Sequence, residues 1–233
     1  EVLKEAQDKG YAERNPEADV EGHDACRKIA ILTSLISGQH VDFEKIHTEG
    51  ITKITTEDMK YAKKLNMAIK LLASSKRVGD TFSVLVAPML LSEEHPLCNV
   101  NDVFNAVFVR GNMLGDAMFY GSGAGKLPTA SAVVADVVDA AKHLHRNVVT
   151  RWDAGELELI PNAEAEHRFF VRVQGRSEAQ KEQIREAFGS VEIVETEGLE
   201  DEFGFITEVM TEGTYSKKAE AFPEIIHMIR LAD

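Results

Sequence analysis

From Phe169 onward the chain alternates between strand-like and helix-like patterning in one order, and that order constrains the fold more than any other feature. Phe169-Phe170-Val171-Arg172-Val173 is aromatic and β-branched, the content of a strand. A charged stretch with helical spacing follows over 177–188 and closes on Gly189. Two strands are predicted at about 190–197 and 203–211, a helix at 214–221 and a last strand at 225–231. The order is βαββαβ.

The first 150 residues are patterned differently. Residues 2–9 read as a short amphipathic helix, with Gly10 suited to the left-handed position that closes it. A polar loop runs from Tyr11 to His23, and the next helix is predicted to start at Asp24 as its N-cap and to end at Gly38. Its apolar positions Ala25, Ile29, Leu32 and Ile36 recur at helical spacing, while Ile31 and Leu35 lie on a second side. That helix is therefore predicted to be central. A third helix starts at Thr55, where Asp58 makes a capping box, and runs to about Asn66. Strands are predicted at 67–74, 80–87, 103–110 and 115–120, punctuated by Gly79-Asp80, Pro96 and Gly111-Asn112. A long helix over 128–145 has Pro128 in its first turn. The predicted fold class is α+β. Helices pack on one face of a mixed β-sheet over 1–150, a linker covers 151–164, and a small ferredoxin-like βαββαβ domain covers 165–233.

Composition narrows the partners. A net charge of −13 argues against a nucleic-acid partner, because phosphate binding needs a basic surface. No apolar run approaches the roughly 20 residues that cross a bilayer. The only two cysteines, Cys26 and Cys98, are too far apart for a metal knuckle and read as reduced thiols of a cytoplasmic protein. His143 and His145 point different ways on a helix, and His40, His47 and His95 lack metal-site spacing, so no metal is expected.

Chemistry concentrates between Gly10 and Lys28. Asp24 and Lys28 stand four residues apart and meet on one helix face. A lysine in apolar surroundings loses affinity for its proton and a neighbouring carboxylate restores it, a balance that can poise a proton donor near neutral pH. Glu13 and Asp19, on the preceding loop, suit recognition of a substrate ammonium group. The plainer alternative makes Asp24 a helix cap and Lys28 its solvated partner. A second candidate, Gly121-Ser-Gly-Ala-Gly-Lys-Leu-Pro-Thr-Ala-Ser131, leads into a helix whose N-terminus favours anions. It fails as a P-loop, since only three residues separate Gly121 from Gly125-Lys126 and Leu127 takes the hydroxyl position.

Together these segments resemble the homoserine dehydrogenases over roughly residues 6–145. The resemblance is carried by Lys9-Gly-Tyr-Ala-Glu13, Pro16, Asp19-Val20, Gly22, Asp24 and Arg27-Lys28. It continues through His47-Thr-Glu-Gly-Ile-Thr-Lys-Ile-Thr-Thr-Glu-Asp58, Phe104-Asn-Ala-Val-Phe-Val109 and Tyr120-Gly-Ser-Gly-Ala-Gly-Lys-Leu-Pro-Thr-Ala-Ser-Ala-Val-Val134. The resemblance implies a reversible NAD- or NADP-dependent interconversion of L-aspartate 4-semialdehyde and L-homoserine, on the route to threonine and methionine. By position, Lys28 matches the proton donor to the developing alkoxide and Asp24 the carboxylate beside it. Glu13, Asp19 and Tyr11 match substrate-binding positions, and Gly10 and Gly125 match glycines whose backbone lies against the cofactor. A homodimer through the sheet is also implied.

The βαββαβ stretch resembles an ACT domain, a module that often binds amino acids, so an amino-acid effector is the implied partner there. That module usually carries an Asp and a Gly after its first strand; this chain has Gln174-Gly-Arg-Ser-Glu178. The first residues read as mid-helix with no Met, and the family's nucleotide-binding domain is expected upstream of Glu1. The isolated chain is accordingly expected to be inactive. The competing reading is a non-catalytic dimerising module that binds an amino acid.

Overall fold

The structure is a computed structural model that describes residues 4, 7, 15–150 and 152–232. In chain order the described elements are α1 (Glu17–Val20), α2 (His23–Ser37), β1 (Gln39–His40), β2 (His47–Thr48), α3 (Thr56–Lys64), β3 (Met67–Val78) and β4 (Thr81–Ser92). Then come β5 (Phe104–Gly111), β6 (Gly115–Ser122), α4 (Lys126–Lys142), β7 (Asp153–Glu156), β8 (Glu166–Gln174) and α5 (Glu178–Phe188). Last are β9 (Val191–Val194), β10 (Glu202–Thr207), β11 (Met210–Thr211), α6 (Glu212–Ala219) and β12 (Ile225–Leu231). The chain forms two compact units, Glu1–Pro16 with Glu94–Arg151 and Glu17–Glu93 with Trp152–Asp233.

The larger unit is built on a mixed sheet of order β2-β4-β12-β8-β10-β9, with β3 also on β4 and β11 on β8. Its longest pairing is the β3–β4 hairpin, in unbroken register from Met67↔Ser92 to Val78↔Thr81. Gly79 turns that hairpin with φ 61°, a conformation costly for any residue with a Cβ. On the other edge of β4, β2 pairs at Leu85 and Val86 and β12 at Met89 and Leu90, both parallel. The strands β12-β8-β10-β9 are the four strands of the βαββαβ stretch in the order fourth, first, third, second. That is the ferredoxin-like arrangement. The strands within 47–92 and 166–231 therefore share one sheet.

Alternation along β8 explains its composition. Phe169, Val171 and Val173 enter a core with Ile184 and Phe188 of α5 and Tyr215 of α6. Phe170 points the opposite way, into a core with Tyr61 and Ala62 of α3. A strand covered on both faces needs apolar residues at successive positions, which the Phe-Phe-Val run supplies. The capping box at Thr55 and Asp58 forms as the sequence predicts, with Thr55 Oγ1 accepting from the Asp58 amide and Asp58 Oδ2 accepting from the Thr55 amide.

Two expectations are corrected. Among the described residues α2 packs one face, with Cys26, Ile29 and Ala30 against Phe82, Val84 and Val86 of β4. Ile31, Leu35 and Ile36 are exposed, so the helix is not central: the sheet lies on one side of it. Nor is 151–164 a linker, because β7 pairs in parallel with β1 and Leu157 is buried in the α2 core. Asp153-Ala-Gly-Glu156 has no strand-forming side chains, and its pairing rests on backbone hydrogen bonds that leave no pattern in the sequence.

In the smaller unit β5 and β6 form a hairpin in continuous register from Phe104↔Ser122 to Gly111↔Gly115. Arg110 pairs across it with Asp116 at 3.2 Å, and the Phe104 and Tyr120 rings stack at 4.8 Å. α4 follows with Pro128 in its first turn.

Candidate functional site

The N-terminus of α2 is set by a glycine. Gly22 caps it at φ 79°, ψ 8°, with no side-chain cap, so Asp24 is not the N-cap that spacing suggested. A Cβ on Gly22 would stand 3.2 Å from Val86 Cγ1 and 3.3 Å from Thr48 Cγ2. Close approach to the sheet and the left-handed backbone both select glycine there. Asp24 falls instead in the first turn, where a carboxylate complements the helix dipole.

From that turn Asp24 reaches Lys28, with Nζ 2.7 Å from Oδ2. Both side chains face solvent, Lys28 at 66% and Asp24 at 48% exposure, so no apolar enclosure surrounds the lysine among the described residues. Asp19 is exposed on α1, immediately before this turn. Gly125, in the smaller unit, precedes α4 with φ 116°, and a Cβ there would meet only Pro128 within 4 Å. Gly10, Tyr11 and Glu13 lie outside the described residues. Among the described residues no group of three or more His, Cys, Asp or Glu is arranged to hold a metal ion.

Behind the α1–α2 turn runs the segment Glu49-Gly-Ile51, which we call the strap. The Glu49 amide donates to Val86 O at 2.8 Å, and the Ile51 amide donates to Val20 O at 2.8 Å. A Cβ on Gly50 would stand 2.4 Å from Val20 O and 2.5 Å from Glu21 Cα, so strap and turn are in direct backbone contact.

The strap is gripped by a residue that sequence reading missed. Arg230 of β12, 2% exposed, donates from Nη1 to Glu49 Oε2 at 3.0 Å and from Nη2 to Glu49 Oε1 at 2.8 Å. Its Nε and Nη2 also bond the carboxylate of Glu212, the first residue of α6. His47 Nε2 lies 2.6 Å from Glu49 Oε1. Burial of Glu49 pushes its pKa up, but the bonds from His47 and Arg230 outweigh it and hold the carboxyl at about 2.

A second arginine repeats the device further along the same segment. Arg172 of β8 forks onto Glu202 at 3.0 and 2.8 Å, and its Nη1 donates to Asp58 Oδ1 at 2.8 Å and to Thr55 Oγ1 at 3.0 Å. His227 Nδ1 lies 3.0 Å from Asp58 Oδ2. Burial opposes ionisation of Asp58, yet His227, Arg172 and the Thr55 amide together hold it well below the usual carboxylate range. The available signal was a charge inside an otherwise apolar strand, in Phe-Phe-Val-Arg172-Val and in Met-Ile-Arg230-Leu.

The family profile of homoserine dehydrogenase matches residues 1–138. The homoserine dehydrogenase of Bacillus subtilis (strain 168) is 48% identical over 148 residues, covering 64% of this chain and 34% of that protein. That of Mycobacterium bovis is 35% identical over 244 residues, covering 96% of this chain and 55% of that one. Among solved structures, a homoserine dehydrogenase from Thiobacillus denitrificans superposes with a TM-score of 0.86 at 32% identity, over 100% of this chain and 58% of that chain. This chain thus spans between a third and just over half of the length of these relatives. With the profile covering more than half of its residues, the chain belongs to the homoserine dehydrogenase family.

Proposed function

We propose that this chain is the substrate-binding and catalytic portion of an enzyme that interconverts L-aspartate 4-semialdehyde and L-homoserine. The observation that carries the reading is the Asp24–Lys28 pair, 2.7 Å apart at the start of α2 and inside the family match. In the reductive direction Lys28 donates a proton to the oxygen that becomes the homoserine hydroxyl, and Asp24 holds the ammonium in place for it. Glu13, Asp19 and Tyr11 bind the substrate's polar groups.

NAD or NADP, when bound, supplies the hydride exchange at the substrate's carbonyl carbon. Gly125 fits a role beside it, because its backbone has open space and precedes a 17-residue helix whose N-terminus favours anionic groups. Gly10 is assigned the matching role. The solvent exposure of Asp24 and Lys28 supports a further part of the reading. This chain by itself turns over no substrate, and a nucleotide-binding region completes the site.

Residues 165–233 are read as an ACT-like regulatory domain with an amino-acid effector, a reading supported by the strand order β12-β8-β10-β9. Residues 1–150 carry substrate binding and dimerisation. The exposed Phe119, Tyr120, Val107 and Val109 of the β5–β6 hairpin support a homodimer, and a cytoplasmic location belongs to the same proposal.

The test is homoserine-dependent reduction of NAD and NADP by the full-length protein, with Lys28→Ala beside it. Turnover that Lys28→Ala lowers by about 10²- to 10⁴-fold supports the reading. A folded full-length protein without turnover would instead favour a non-catalytic dimerising module.

A further inference from the structure

We infer that Arg230 is a positioning residue for the Asp24–Lys28 pair, acting through Glu49 and the strap. The inference rests on the functional reading above for its catalytic consequence, but its structural links stand independently. Arg230 bonds both oxygens of Glu49 while its other edge is fixed on Glu212. Glu49 begins the strap, and Gly50 and Ile51 lie directly on Val20 and Glu21. Gly22 follows, wedged against Val86, Thr48 and Glu49 O, and the Cys26 amide donates to Gly22 O at 2.9 Å in the first turn of α2. Asp24 and Lys28 project from that turn and the next.

A cavity of about 170 Å³ lies beside the strap, lined by residues including Glu21, Thr52, Lys53, Pro88, His227 and Ile229. The planar guanidinium, buried and bidentate, holds the strap from the side of β12, beside its backbone bonds to Val86 and Val20. A carboxylate–ammonium pair displaced by an ångström from its working place loses on the order of 10²-fold in rate. The βαββαβ stretch, through β12, thereby reaches the chemistry without touching substrate.

Two variants of the full-length protein test this. Glu49→Gln keeps the side-chain shape and the Arg230–Glu212 bonds but removes the charge that Arg230 grips. Gly50→Ala changes no charged residue and drives the strap off Val20 and Glu21. Both are expected to lower kcat on the order of 10²-fold with KM for homoserine little changed. Both should speed amide hydrogen exchange within residues 20–28 roughly ten- to hundredfold, the factor carried by one charge-assisted hydrogen bond. Exchange in β8 and β10 should stay as in the wild type.

Folded variants with wild-type kcat and wild-type exchange at 20–28 would overturn the inference. So would exchange that rises equally throughout the chain, which would mark a general loss of stability. If the wild-type protein does not oxidise homoserine, the functional reading fails, and the exchange data alone still decide whether Arg230 and the strap position this turn.

Discussion

Arg172 and Asp58, 114 residues apart in sequence, form a buried ion pair with Nη1 2.8 Å from Oδ1 and the two side chains 4% and 0% exposed. The pair joins the start of α3 to β8. Asp58 belongs to the capping box of α3, so one carboxylate both ends a helix and ties it to a strand. Desolvating two charges is costly, and what makes this arrangement tolerable is that Glu202, Thr55 and His227 complete the network.

Breaking the network on one side should therefore cost more than removing it. Arg172→Met leaves Asp58 and Glu202 buried without their cation and is expected to destabilise the fold by about 3–5 kcal/mol. Replacing Arg172, Asp58 and Glu202 together by apolar residues of similar volume should restore part of that loss, less the capping box that Asp58 supplies to α3. Urea denaturation of the single and triple variants measures both. A single variant within about 1 kcal/mol of wild type would mean that water relieves the carboxylates.

Acid should unfold the protein partly through Glu49. Its carboxyl is held at about 2 in the folded chain against an ordinary value of 4.5. A depressed folded pKa gives stability that is fully present above the unfolded value and is lost as pH falls through the folded one. The contribution of Glu49 is thus complete above about pH 4.5 and disappears toward about pH 2, with Asp58 depressed in the same sense. Urea midpoints measured down this range should fall less steeply for Glu49→Gln than for wild type. Equal slopes would show that the acid sensitivity arises elsewhere.

Gly22 offers a test of backbone conformation. At φ 79° an alanine pays about 1–2 kcal/mol for the left-handed region, and its Cβ would also press on Val86 and Thr48 at 3.2 and 3.3 Å. Gly22→Ala should lower stability by at least that strain. Gly38→Ala, at φ 74° with nothing within 4 Å, should cost the strain alone. Thermal melts of the two variants separate the steric part from the conformational part.

What the sequence revealed and what it hid follow from the range of the interactions. The capping box at Thr55, the β3–β4 turn at Gly79 and the order of elements after Phe169 are local, and each was legible. The Asp24–Lys28 contact was legible because four residues on a helix make one face. The Arg230–Glu49 contact spans 181 positions, and no spacing rule reaches that far. Only the oddity of an arginine in an apolar strand pointed to it. The start of α2 was misread because Asp24 is a good N-cap in isolation, whereas close packing of Gly22 on Val86 decides the matter. β7 was read as linker because its partner, Gln39–His40, is equally featureless.

The shared sheet leads to a last prediction, about truncation. A chain ending at residue 164 would lose β8 to β12, and with β12 the parallel partner of β4 at Met89 and Leu90. It would also strip the cover from Tyr61 and Leu90, which pack with Phe170, Ile206 and Ile229. Asp58 and Glu49 would lose both arginines, and the bared β4 edge would present unpaired backbone groups next to apolar side chains. Such a fragment is expected to aggregate or to lack dispersed amide resonances in a proton–nitrogen correlation spectrum, even though it contains the entire family match of 1–138. An appended domain on a passive tether would behave oppositely, and the fragment would fold alone. Well-dispersed resonances from the fragment would show that the β4–β12 pairing is dispensable for folding.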